Sequence, residues 1–275
     1  MASKSEEIEI KLLLEAIYLR YHYDFRGYAP SSLGRSLARA KEHFRCRTYS
    51  ALQEKVLHEP EILPQIISLM TVQVSEFFRD AAYFRAIRER VVPYLKTYSS
   101  LKVWVAGCGT GEEVYSFAIL FREEGLESRT LFYGTDINVE ALSKAEQGAY
   151  SADLTPRFAE SYRLSGGKAE LSNYYTTANR TIVLDKSLRQ RIVFTDHSLV
   201  TDSVFAEVQF VSCRNVLIYF GRELQDRATE LFKDALSRKG FLGLGSRESL
   251  RTTQFGGAFS ELAGSDRIYQ KKEEN

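Results

Sequence analysis

The sequence holds only three cysteines, Cys46, Cys108 and Cys213, far apart and with no CxxC pair. An odd count so spaced argues against a disulfide framework and against a structural zinc site, and a reducing cytoplasm is the compartment that fits. No stretch reaches the roughly 18 apolar residues that a membrane span requires. The first residues, MASKSEEIEIKLLLEAIY, are acidic where a signal peptide would be basic and then continuously apolar. The expectation is a soluble cytoplasmic protein without direct membrane insertion. Formal net charge is +1, so nothing global favours nucleic acid or another polyanion, and any electrostatic recognition must come from a local patch. Internal repeats and low-complexity linkers are also missing. What is there is a chain of 275 residues, 44% hydrophobic and 27% charged, long enough for one large or two modest globular domains.

Residues 5 to about 90 carry helical periodicity and few strand signals. Leu33, Leu37, Ala40 and Phe44 recur at i, i+4, i+7 and i+11, while Arg35, Arg39, Lys41 and Arg45 fall on other faces. Either Ser31 or Ser32, just after Pro30, is a candidate cap for that helix. Two further helical segments follow, LQEKVLHEPEILPQIISLMTV and AAYFRAIRERVVPYLKTY, with Pro60, Pro64 and Pro93 as punctuation. From about residue 100 short apolar runs alternate with amphipathic stretches: LKVWVAG, EVYSFAILFREEG, TLFYGTD, VEALSKAEQG, RIVFTDH, VQFVSCRNVLIY, ELQDRATELFKDALSRKG, FLGLGS and RIYQKK. Such alternation predicts βα units, hence an α/β fold with a mainly parallel sheet and helices on both faces. The last short strand fits an antiparallel addition. Between about 148 and 190 the alternation lapses, which predicts an insertion sitting on the sheet. The domains expected are an N-terminal helical one over 1–90 and a sheet domain over 91–275.

The strand Val103-Trp104-Val105-Ala106 runs into Gly107-Cys108-Gly109-Thr110-Gly111 and then a helix, the form of many nucleotide sites. The glycines let the backbone turn sharply and approach a ligand closely. A tight turn with no ligand is the plain alternative. The residues that follow, Glu112 and Glu113, are not the Lys-Ser/Thr of a P-loop, and carboxylates there repel a pyrophosphate while suiting the helix dipole. About 25 residues on, Asp136 ends the second strand, where an acid accepts hydrogen bonds from ribose hydroxyls or caps the helix beginning near Val139. S-adenosylmethionine has the ribose, lacks phosphates and carries a sulfonium and an ammonium. It suits these acids better than NAD does.

Three more clusters carry polar residues to strand ends or clefts: Val74-Ser75-Glu76-Phe77-Phe78-Arg79-Asp80, Arg191-Ile192-Val193-Phe194-Thr195-Asp196-His197-Ser198-Leu199, and Cys213-Arg214-Asn215-Val216-Leu217-Ile218-Tyr219-Phe220. Taken singly, each reads equally well as an ordinary strand end or surface arginine. In this order, with YDFRGY, AGCGTGEEVYS, GTDIN, AEQGAY and GFLGLGSRESL, they resemble the CheR-type chemoreceptor methyltransferases of bacteria over nearly the whole chain. The pair GTGEEVYS and CRNVLIYF is the most specific part of that resemblance.

The resemblance implies a class I, Rossmann-like methyltransferase sheet, an N-terminal all-helical domain and a small β insertion at about 150–190, in the region of Ser165-Gly166-Gly167. It also implies transfer of a methyl group from S-adenosyl-L-methionine to glutamate side chains of a chemoreceptor, with S-adenosyl-L-homocysteine as product. For the cofactor it maps Gln73, Ser75, Arg79, Gly107, Glu113, Asp136, Ser198, Leu199, Arg214 and Asn215, with Glu113 and Arg79 in one network. Gln73 and Ser198 depart from the residues common in relatives, whereas Ser75 keeps a hydroxyl. Tyr219 maps near the transferred methyl, so Arg79 and Tyr219 are the candidate catalytic residues. The receptor regions modified are acidic helical bundles in the cytoplasm, which gives Arg35, Arg39, Lys41 and Arg45 a docking role. Other readings of the same residues are a methyltransferase for a non-receptor protein or small acid, and a catalytically silent cofactor-binding regulator.

Overall fold

In the computed structural model, which describes residues 3–71 and 75–273, the helical periodicity closes on itself first. Helices α1 (Lys4–Tyr21), α2 (Pro30–His43), α3 (Tyr49–His58) and α4 (Leu63–Met70) come in succession. Leu13 and Ile17 of α1, Leu37 and Ala40 of α2, Leu52 and Val56 of α3, and Ile66 of α4 share one buried cluster. A capping box starts α1: the Ser3 hydroxyl accepts from the Glu6 N–H, and the Glu6 carboxylate accepts from the Ser3 N–H. The start of α2 differs from the sequence expectation. It opens at Pro30 with Ala29 in the N-cap position and no side-chain cap, so neither Ser31 nor Ser32 has that role. Proline serves there because its φ is preset and its missing N–H would have had no helical partner.

Helices α5 (Ala81–Ala86) and α6 (Val92–Leu95) are joined through a π turn at Ile87–Val91. Pro93 stands in the first turn of α6, where proline is tolerated. Their apolar residues, with Phe77 and Phe78, pack into the cluster on one face of the sheet.

The alternating part runs β1 (Leu101–Ala106), α7 (Glu112–Glu123), β2 (Thr130–Asp136), α8 (Val139–Gln147), β3 (Ala149–Ser151), α9 (Thr155–Leu164), β4 (Tyr175–Ala178), β5 (Thr181–Leu184), α10 (Lys186–Arg189), β6 (Ile192–Asp196), β7 (Val208–Cys213), α11 (Arg222–Ala235), β8 (Leu236–Leu244), β9 (Phe259–Ala263) and β10 (Ile268–Lys271). Seven strands form one sheet in the order β6-β2-β1-β7-β8-β10-β9. Pairing is parallel from β6 through β8, and β10 is antiparallel to both β8 and β9. In β1 the side chains alternate across the sheet: Val103 and Val105 join the cluster with α7, Trp104 and Ala106 the one with α11. This is the mixed α/β, Rossmann-like sheet with an N-terminal helical part that the sequence predicts.

Three details differ. The helix read through ELQDRATELFKDALSRKG stops at Ala235, because Leu236 pairs with Val208 and begins β8. Strand β9 has no counterpart in the sequence reading. The insertion does hold a small antiparallel sheet, in the order β3-β5-β4, but Ser165-Gly166-Gly167 lies outside it. That stretch closes α9: Gly166 has a left-handed φ of 81°, and the buried Ser165 hydroxyl donates to the Tyr162 carbonyl at 2.6 Å. Among the described residues, no helix is long and apolar enough to cross a membrane.

Candidate functional site

Strand order reverses at β1, between β2 on one side and β7 on the other, and in open α/β sheets the ligand crevice lies outside the carboxyl ends at such a point. The cavity found there measures about 1140 Å³ counting its open mouth. Gly107, Cys108, Gly109 and Glu113 line it from the glycine loop, Asp136 and Ile137 from the end of β2, and His197 to Val200 from beyond β6. Arg214, Asn215, Val216, Tyr219 and Phe220 enter after β7, and Ser75, Glu76 and Arg79 from the segment before α5. The helical part contributes Tyr23, Asp24, Phe25, Tyr28, Met70 and Thr71. Of the candidate residues, Ser75, Arg79, Gly107, Glu113, Asp136, Ser198, Leu199, Arg214, Asn215 and Tyr219 therefore meet in one cavity. Gln73 lies outside the described residues.

The glycine loop turns through left-handed φ at Gly107 (69°), Gly109 (55°) and Gly111 (90°). At Gly111 a side chain is also sterically barred, since a Cβ would come within 2.7 Å of Ala145 Cβ. Asp136 holds this loop. Its carboxylate accepts from the Gly109 N–H and from the Asn138 N–H, both at 2.9 Å. The cap of α8 is Asn138, whose side chain accepts from the Ala141 N–H at 3.1 Å, so the alternative reading of Asp136 as that cap is corrected. Burial raises the Asp136 carboxyl above its ordinary value, and the backbone N–H bonds pull it part of the way back. Lone pairs remain on its two oxygens for further donors.

Glu113 faces the end of β7. Its carboxylate accepts from the Ser212 hydroxyl at 2.7 Å and from an Arg214 Nη1–H at 2.8 Å. The other Arg214 nitrogen donates to Asp80 Oδ2 at 2.6 Å and to the Arg79 carbonyl at 3.0 Å. The guanidinium stacks over the Tyr83 ring at 4.2 Å. Thus Arg214 links Glu113 to the backbone that carries Arg79. On either side of Arg79, Phe78 and Asp80 adopt left-handed φ of 51° and 59°, a conformation that surrounding contacts must hold in place. One such contact is the Phe78 N–H bond to Ser116 Oγ at 2.9 Å. Glu112 does more than favour the helix N-terminus: it is buried, and its carboxylate accepts from the Thr110 hydroxyl at 2.7 Å and interacts with Ser75. Burial raises its pKa.

The Ser198 hydroxyl turns back on its own loop, accepting from the Val200 and Thr201 N–H groups at 3.2 Å, while the Ser198 N–H donates to Asp202. Tyr219 is half-buried. Burial raises its phenol above the ordinary value; the charge of Arg79 opposes that rise, Glu248 adds to it, and Arg35 and Arg39 oppose it more weakly. Two arginines of α2 thus contribute charge felt at the phenol, though neither lines the cavity that Tyr219 shares with Arg79. The four basic residues of that region do not form one face. Arg39 also donates to the Leu69 carbonyl at 3.0 Å, Lys41 faces Glu6 at 3.9 Å and stacks on Tyr49, and Arg45 lies beyond the helix with φ of 53°.

Sequence reasoning assigned no role to Tyr28, Glu248 or His197. Tyr28 belongs to the YDFRGY segment, which joins the helical part to the loop after β7. The Ala29 N–H donates to the Tyr219 carbonyl and the Gly221 N–H to the Gly27 carbonyl, both at 2.8 Å, and the Tyr28 and Phe220 rings meet edge to face at 5.1 Å. The signal was the clustering of aromatic residues and glycine at the end of a helix. His197 lines the cavity and packs its ring against Trp104 at 5.3 Å.

Residues 73–263 match the family described as "CheR methyltransferase, SAM binding domain", and residues 8–71 match "CheR methyltransferase, all-alpha domain". "Putative methyltransferase Cher3" of Pseudomonas putida is 52% identical over 270 residues, 98% of this chain and 99% of that protein. "Chemotaxis protein methyltransferase" of Listeria innocua is 32% identical, over 69% of this chain and 70% of its own length. "Chemotaxis protein methyltransferase 2" of Vibrio cholerae is 29% identical over 87% of this chain and 76% of its own.

Proposed function

We propose a reaction from one established premise: the chain belongs to the CheR methyltransferase family and is an S-adenosylmethionine-dependent methyltransferase. The reaction is methyl transfer to glutamate side-chain carboxylates in the acidic helical cytoplasmic region of a bacterial chemoreceptor. The names of the Listeria and Vibrio relatives support a chemotaxis substrate. The observation that carries the reading is the meeting of Arg79 and Tyr219 in the cavity that holds Asp136. We take residues 1–90 as the part that receives the receptor and 91–275 as the part that holds the cofactor, with the Arg79 segment serving both.

The donor set fits the cofactor. Asp136 keeps lone pairs for ribose hydroxyls, the glycine loop brings acids rather than a phosphate-binding lysine, and Gly107 lets the backbone come close. Ser75, Leu199, Asn215 and the Ser198 loop would complete the walls, and Glu113 with Arg214 would keep Arg79 in register. Bound S-adenosylmethionine supplies an electrophilic methyl on a sulfonium and leaves as S-adenosyl-L-homocysteine. A glutamate of pKa about 4.3 is already ionised near neutral pH, so no general base is required. The task of the chain is to hold the accepting oxygen roughly 3 to 3.5 Å from the methyl carbon, in line, and to keep water away. Arg79 and the Tyr219 O–H orient that carboxylate without gripping it so tightly that the ground state is favoured.

The test is incubation with methyl-labelled S-adenosylmethionine and the cell's membrane fraction. Base-labile label on a receptor-sized band is the expected result. Label on soluble species alone would move the substrate to another protein or a small acid, and cofactor binding with no labelled product would leave a regulator.

A further inference from the structure

We propose that Glu248 is the positioning residue that sets the loop after β7, and through it the placement of Asn215 and Tyr219 in the cofactor cavity. Glu248 is 4% exposed, yet its carboxylate meets four backbone N–H groups. One oxygen accepts from Gly245 at 2.6 Å and Asn215 at 2.9 Å, the other from Val216 at 2.9 Å and Ile218 at 3.3 Å. Those donors lie just beyond two neighbouring parallel strands, Asn215, Val216 and Ile218 in the loop after β7 and Gly245 directly after β8. A single carboxylate thereby ties the segments that follow the two strands together and takes the N–H groups of Val216 and Ile218 at the start of the turn Leu217–Tyr219.

The loop it holds turns back on itself at a left-handed residue. Asn215 has a left-handed φ of 61°, a conformation asparagine tolerates better than most residues, and the bonds from the Asn215 and Val216 N–H groups to Glu248 fix it there. Ionised glutamate suits the task because it offers only acceptors, whereas an amide would turn a donor toward at least one N–H. Asn215, Val216 and Tyr219 all line the cavity, but Glu248 does not. It therefore acts through them.

The test measures S-adenosyl-L-homocysteine binding by calorimetry for the full chain, Glu248→Gln, Asn215→Ala and the double variant, with thermal unfolding alongside. This rests on the cofactor reading, and the two fail separately: no binding by the unaltered chain would overturn the cofactor site, not the role of Glu248. The expected result is a loss of about tenfold in affinity for folded Glu248→Gln, with Asn215→Ala adding much less in that background than in the unaltered chain. If Glu248→Gln does not fold, Glu248→Asp, which keeps the charge but shortens its reach, is measured in its place with the same expected non-additivity. Unchanged affinity in the folded variant, or strictly additive losses, would overturn the proposal.

Discussion

Arg214 Nη1 and Glu113 Oε2 meet at 2.8 Å although 101 residues separate them in sequence, and the Arg214 side chain is 1% exposed. Removing one member of a buried pair leaves the other charge uncompensated, at a cost of about 3–5 kcal/mol. Arg214→Ala is therefore expected to lower stability by about that amount in urea denaturation. Arg214→Lys should recover only part of it, since a single ammonium lacks the fork that reaches Glu113 and Asp80 together.

Asp136→Asn tests the ribose assignment. The variant can keep one N–H bond to the loop but loses the charge and one acceptor. Affinity for S-adenosyl-L-homocysteine should fall about tenfold, close to the lower end of the range for hydrogen bonds to a charged group. Calorimetry with unaltered affinity would remove Asp136 from the cofactor site.

Arg79→Ala should reduce kcat for methyl transfer by about 100-fold, the scale at which a displaced reacting group slows a reaction. Cofactor affinity should fall less. Tyr219→Phe removes only the phenolic O–H, so a smaller loss of kcat is expected in the same labelled-methyl assay. Normal turnover by Arg79→Ala would refute its catalytic role.

Basic residues of α2 should separate by position. Arg35→Glu with Arg39→Glu reverses the α2 charge felt at the Tyr219 phenol and should raise KM for a receptor substrate about tenfold while leaving S-adenosyl-L-homocysteine binding intact. Lys41→Glu, on the side that faces Glu6 and Tyr49, should lower stability slightly and leave that KM nearly unchanged. Equal KM effects at both places would indicate a wider docking surface.

Glu112 gives a signed pH effect. Burial lifts its folded-state pKa above the ordinary 4.5, with the Thr110 and Ser75 hydroxyls opposing the lift. The folded protein thus binds this proton more tightly than the unfolded chain does. Its contribution to stability is fully present below pH 4.5 and declines as pH rises through the elevated folded value. Glu112→Gln should flatten that decline, read as a smaller fall in urea midpoint from pH 5 to pH 8 than in the unaltered chain.

Hydrophobic period alone located α7, β1, β2 and β7, since each must bury one face or both and the pattern records which. It missed β9, a short strand whose pairing with β10 depends on a distant partner, and it ran α11 into β8 because nothing local at Leu236 announces a pairing with Val208. Ser31 and Ser32 follow a similar logic: both suit a cap by type, but Pro30 had already opened the helix.

The class of ligand was legible in local chemistry. Three glycines followed by acids, with Asp136 at the next strand end, admit a ribose and resist a pyrophosphate, and that rests on local chemistry. Which side chain holds which was set by the folded packing. Glu113 reaches the Arg79 segment through Arg214, Asn138 rather than Asp136 caps α8, and Glu248 gathers N–H groups from the segments that follow two strands. Such partners are chosen by burial: once water is excluded, each charge and each N–H must be satisfied by whatever the fold brings near, and sequence distance plays no part in that choice.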